Sequence, residues 1–87
     1  MKAKYSFEIM ELDDGLIAVP VGGESYQFNG VLKVNETAAA ILKLLEQETD
    51  AEKIVTELLR DYSGKPEDIR VFVDEFLDKL VSEGVVE

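Results

Sequence analysis

Carboxylates are the most numerous side chains in this 87-residue sequence that could do chemistry, with 19 Asp and Glu against 9 Lys and Arg and a formal net charge of −10. Paired carboxylates can hold a divalent cation or divide acid and base roles between them, and their spacing decides whether they are more than a solvated surface. Asp13 and Asp14 beside Gly15 lack the alternating ligands and distant glutamate of a calcium loop, and read as a solvated turn. Glu46, Glu48, Asp50, Glu52, Glu57, Asp61, Glu67, Asp68, Asp74, Glu75 and Asp78 fall mostly off the apolar stripes described below. They read as solvated helix faces carrying weak i,i+4 pairs such as Glu75 with Lys79.

Histidine and cysteine are both absent. That removes the usual general base near neutral pH, the commonest nitrogen and thiolate metal ligands, disulfides and cysteine nucleophiles together. The four serines, Ser6, Ser25, Ser63 and Ser82, have no nucleophile-elbow context, and none lies in the Asp-Ser-Leu setting of a carrier protein. Gly22-Gly23 leads to neither a dinucleotide fingerprint nor a Walker lysine. The expectation is a protein that is not an enzyme and holds no metal or cofactor. A charge of −10 repels polyanions, which argues against nucleic acid and anionic membranes as partners. No apolar run follows Lys2 and Lys4, and no stretch approaches the ~20 residues that span a bilayer, so a cytoplasmic protein is expected.

The elements that position these residues change period along the chain. Phe7 and Ile9 alternate with Glu8, Met10 and Leu12, which predicts a strand over residues 6–12 before the turn at Asp13-Asp14-Gly15. Residues 16–21 form a hairpin partner that closes at Gly22-Gly23. Pro20 lacks a backbone donor, so this strand is not central along its whole length. Ser25-Tyr26-Gln27-Phe28 and Val31-Leu32-Lys33-Val34 flank Asn29-Gly30, as two short strands around a turn or one strand bent at a bulge.

Asn35 is a helix cap, and Ala38, Ile41, Leu42 and Leu45 repeat at i, i+3, i+4, i+7 in a first helix ending near Gln47. Thr49 and Glu52 have capping-box spacing ahead of a second helix over residues 50–62, with Ile54, Val55, Leu58, Leu59 and Tyr62 apolar. Pro66, with Glu67 and Asp68 behind it, opens a third helix whose stripe is Ile69, Phe72, Val73, Phe76, Leu77, Leu80 and Val81. Gly84 offers a left-handed cap, after which Val85-Val86 docks back.

These parts define an α+β fold over residues 1–87 as a single domain. A three-stranded antiparallel sheet (strands within residues 6–34) precedes a three-helix bundle (residues 36–83), in the manner of a winged helix-turn-helix. With chemistry excluded, recognition through backbone and apolar side chains remains. A sheet has two edges, and an extended peptide can add to one of them. Residues 26–34 are a candidate edge, with Val71 on the third helix a candidate groove residue or a lone exposed valine.

Val31-Leu32-Lys33-Val34-Asn35-Glu36-Thr37-Ala38-Ala39-Ala40-Ile41-Leu42 resembles the strand-to-helix signature of the coenzyme PQQ synthesis protein D (PqqD) family. The resemblance continues through Ile54-Val55, Leu58-Leu59 and Tyr62 to Val73-Asp74-Glu75-Phe76-Leu77, Leu80 and Gly84-Val85-Val86. It implies a non-catalytic RiPP recognition element. Such a module binds the leader of a ribosomally made precursor peptide as an added strand and presents it to a modifying enzyme, often a radical SAM protein. Carried over residue by residue, it implicates Val31, Leu32, Lys33 and Val34 on the third strand and Arg70, Val71, Asp74 and Leu77 on the third helix. The oligomeric expectation is a monomer or a domain-swapped dimer. The rival reading is a winged-helix protein or DNA regulator. For DNA the third helix is poorly suited, since Arg70 and Lys79 face Glu67, Asp68, Asp74, Glu75, Asp78 and Glu83.

Overall fold

A computed structural model describes residues 1–4, 6–21 and 31–86. Expectations resting on Gly22-Gly23, on Ser25 to Phe28 with Tyr26 among them, and on Asn29-Gly30 lie outside these residues. Strand β1 is Ser6–Leu12, β2 Gly15–Val21 and β3 Leu32–Val34, and helices α1 (Glu36–Leu44), α2 (Ala51–Asp61) and α3 (Pro66–Ser82) follow. The sheet is antiparallel in the order β1-β2-β3. The α+β architecture expected from the sequence is the one observed.

Register explains the position of Pro20. β3 pairs only with residues 16–18 of β2, as Leu16 with Val34, Ile17 with Lys33 and Ala18 with Leu32. Pro20 pairs with Phe7 on the β1 side and lies beyond Ala18, the last β2 residue paired with β3 among the described residues. Among the described residues, β2 is central over three positions only, which is where every residue can donate to a ladder.

The same register sorts the side chains. Phe7, Ile9, Leu16, Ala18, Leu32 and Val34 share the inner face, and Ala18 and Leu32 join α1, α2 and α3 in one apolar cluster containing Ile41, Leu45, Ile54, Leu58, Val73, Leu77 and Leu80. Burial of each large side chain contributes about 1.5–3 kcal/mol, and together these bind the helices to the sheet.

Helix ends follow local chemistry, with two shifts from expectation. The Asn35 side chain accepts the Ala38 N–H at 2.8 Å, as the sequence predicts. In α2 the cap is Asp50 and not Thr49: Asp50 Oδ1 accepts the Lys53 N–H at 2.9 Å. The Thr49 N–H, which a capping box would give to the Glu52 side chain, donates instead to the Met1 carbonyl at 2.9 Å, a tertiary bond invisible to a local pattern. α1 also ends at Leu44, earlier than Gln47, with Leu45 as its cap and two turn bonds following. Gly84 has φ +75°, in the left-handed region. It sends Val85 and Val86 back, where Val86 bridges Ala3 and the Val85 carbonyl accepts the Lys4 N–H at 2.8 Å.

Candidate functional site

The buried interior of the described residues contains no polar or charged side chain. Three surface carboxylates around one groove are each engaged. A groove of about 480 Å³ between α1 and α2 is rimmed by Glu48, Glu52 and Glu57. Glu48 takes the Met1 ammonium at 2.5 Å, Glu57 takes Arg60 at 3.0 Å, and Glu52 takes Arg70 through both oxygens at 2.5 and 2.9 Å. No group of three or more potential ligands that could hold a metal ion occurs among the described residues. No helix among them is long and apolar enough to cross a membrane.

The paired edge of β3 faces β2, and its other edge carries no strand among the described residues. That edge presents main-chain donors and acceptors in an extended row, ready for another strand. Val31 stands just before it and is 51% exposed, Leu32 is buried, Lys33 is exposed on the outer face and Val34 is half-buried on the inner face. Leu32 belongs to the same apolar cluster as Val73, Leu77 and Leu80, which brings the inner face of β3 and α3 into one core.

The residues expected on α3 separate into different environments. Leu77 is buried in the cluster, whereas Val71 is 55% exposed and Asp74 lies in solvent. Arg70 turns toward α2 in its bidentate pair with Glu52. At 3.6 residues per turn, Asp74 follows Arg70 on that flank, and Phe72 and Phe76 occupy the opposite one. Their rings stack at 6.0 Å between centroids with 9° between planes, and both are only half-buried while packed on the core. Periodicity alone puts Phe72, Phe76 and Val81 in one core stripe. The structure leaves the two rings partly open and exposes Val81 by 57%, because the seven-member stripe is wider than the surface α3 packs upon. That excess width is the signal in the sequence for an incompletely covered flank.

Hydrogen bonding and then the charge of Arg70 hold the Glu52 carboxyl below its ordinary range, and the same two effects from Glu52 raise Arg70. The depressed carboxyl means the pair contributes above the unfolded pKa of Glu52 and is lost as pH falls through the folded value. Both side chains are exposed, so the pair orients α2 on α3 more than it stabilises the fold. Arg70→Gln is expected to shift the thermal midpoint slightly, and less at high salt.

A family model described as Coenzyme PQQ synthesis protein D (PqqD) matches residues 15–86. A solved structure titled "TbiB1 in Complex with the TbiA(beta) Leader Peptide" is similar in fold, with a TM-score of 0.72 and 21% sequence identity over 100% of this chain and 95% of that one. A comparison with curated proteins finds no significant match.

Proposed function

Because the chain belongs to the family of coenzyme PQQ synthesis protein D (PqqD), we propose that it binds the leader segment of a ribosomally made precursor peptide as a fourth strand on β3. The observation that carries this reading is the β3 edge, which has no strand beyond it among the described residues and whose inner face shares one apolar core with α3. The similar fold titled as a leader-peptide complex supports it. An extended leader gains main-chain hydrogen bonds from residues 31–34, while its alternate side chains reach the inner side of the sheet. There Phe72 and Phe76 supply an apolar floor beside Leu77, while Val71 lies on the solvent side of α3 and Asp74 on its opposite flank with Arg70.

The chain itself is non-catalytic in this reading. Its product is a bound and oriented peptide, handed to a modifying enzyme, with a radical SAM protein as the proposed partner. The acids Asp74, Glu75 and Asp78 on exposed α3 favour leaders with Lys or Arg and speed their encounter at low salt. The same acids make α3 an unfavourable reader of DNA.

The test is calorimetric titration of the full chain with the two halves of a short precursor encoded beside it. Binding of the leader half and not the core half is expected, and binding of neither removes the reading. Phe76→Ala is expected to weaken the leader about tenfold, by removing a ring that the ligand covers. Unchanged affinity in the folded variant would take the floor away from α3.

A further inference from the structure

Strand parity leaves the outer face of the sheet to Met10, Leu12, Ile17, Val19 and Val21, and continuing the register by one residue adds Val31 opposite Val19. Met10, Leu12, Val21 and Val31 are 47, 46, 37 and 51% exposed, and Ile17 and Val19 are half-buried. All three helices contribute to the core on the inner side, so this face is unpartnered among the described residues. A contiguous apolar block of this kind marks an interaction surface rather than a scatter of single exposed residues.

Charge placement identifies what fits it. Among the described strand residues, the charged side chains on the outer face are Glu8 on β1 and Lys33 on β3, at opposite margins of the block. A two-fold axis running along β2 lays β1 of one copy over β3 of another. It thereby brings Glu8 of each within reach of Lys33 of the other, with the apolar block between. An axis across the strands would instead set like charges against each other. Among the described residues Lys33 is held by Asp14 at 3.7 Å, with the two side chains 74% and 76% exposed, a weak pair that can exchange partners.

The geometry points to a face-to-face homodimer in which two copies pack outer sheet faces, apolar at the centre and closed by reciprocal Glu8–Lys33 pairs. The outward side chains of Val31 and Lys33 belong to this surface, whereas a leader on β3 is held by main-chain groups at its edge and by α3, so a dimer of this form can carry a leader on each copy.

Sedimentation equilibrium of the full chain over about a thousandfold concentration range reads the proposal directly. A reversible monomer–dimer equilibrium is expected. Met10→Lys is expected to weaken it about tenfold or more, with unchanged circular dichroism and leader affinity at low concentration. Glu8→Lys and Lys33→Glu each weaken the dimer, and the double variant restores it. A wild-type chain that stays monomeric throughout overturns the proposal. So does a dimer indifferent to Met10→Lys, as one formed by exchanging hairpins would be, or a double variant no tighter than the singles. Leader binding is measured on the same samples, so loss of the dimer and loss of the leader site are distinguishable.

Discussion

Proline at Lys33 and proline at Val34 are expected to act differently, one strongly weakening leader binding in a folded protein and the other unfolding the sheet. Successive backbone amides of a strand point to opposite edges, so one of these two N–H groups donates toward β2 and the other toward the open edge. Proline removes the donor and places its ring where the neighbouring strand must approach. On the β2 side this breaks a ladder only three residues long, since β3 pairs at Leu32, Lys33 and Val34 alone. On the open side nothing in the described fold is lost, and the docking strand is excluded. The expected loss of affinity there is about a hundredfold, because the clash interrupts the row of bonds as well as removing one. Leu32→Pro shares the parity of Val34→Pro but also removes a buried side chain, so Lys33 and Val34 are the cleaner pair. Circular dichroism separates the two outcomes and calorimetry reads affinity. If the folded variant binds leader as tightly as the wild type, the β3 edge is not the site.

Leu45→Ala is expected to lose about 3 kcal/mol of stability, within the range of about 2–5 for buried leucine truncations. A domain of this size has on the order of 5–10 kcal/mol in total, so the loss is a large share of it. Leu45 has no exposed surface and lies in the cluster that joins the sheet to the helices. It also caps α1, and its carbonyl accepts the Ala3 N–H at 3.0 Å, fastening the N-terminal segment over the core. Urea denaturation of the variant, beside Leu59→Ala at a position 37% exposed, reads the difference. A change at Leu45 no larger than at Leu59 would show that the cavity collapses, and that this packing is not what holds the helices.

The helices were legible because each buries one stripe and carries its own stop signals. Asn35 and Pro66 mark starts, and Gly84 marks an end where the backbone needs positive φ. Thr49 misled the capping assignment for a physical reason: its backbone donor is claimed by Met1, about fifty residues away in sequence. Arg70 is the corresponding case at the candidate site. Its position in the chain allowed a ligand contact, but only the packing of α2 against α3 gives it Glu52 as a bidentate partner. Phe72 and Phe76 were placed in the core by periodicity, which reports the angle around a helix and not how much of that angle another element covers.

The sequence by itself determined the element order, the sheet-then-helices architecture, the helix starts marked by Asn35 and Pro66, the absence of histidine and cysteine chemistry, and the resemblance that the family match bears out. These follow from local periodicity, from residue types and from backbone preferences, all of which act within a few residues. Tertiary structure decided that β3 lies at an edge with no strand beyond it among the described residues, that β2 is central there over three positions, and that Arg70 faces α2 while the Phe72–Phe76 stack lies on the other flank. It also decided that the apolar members of alternate strands assemble into one outer face bordered by Glu8 and Lys33. Each of these depends on register and on the direction from which a distant element approaches. Strand period fixes which residues share a face, but pairing between segments far apart in the chain fixes which faces meet.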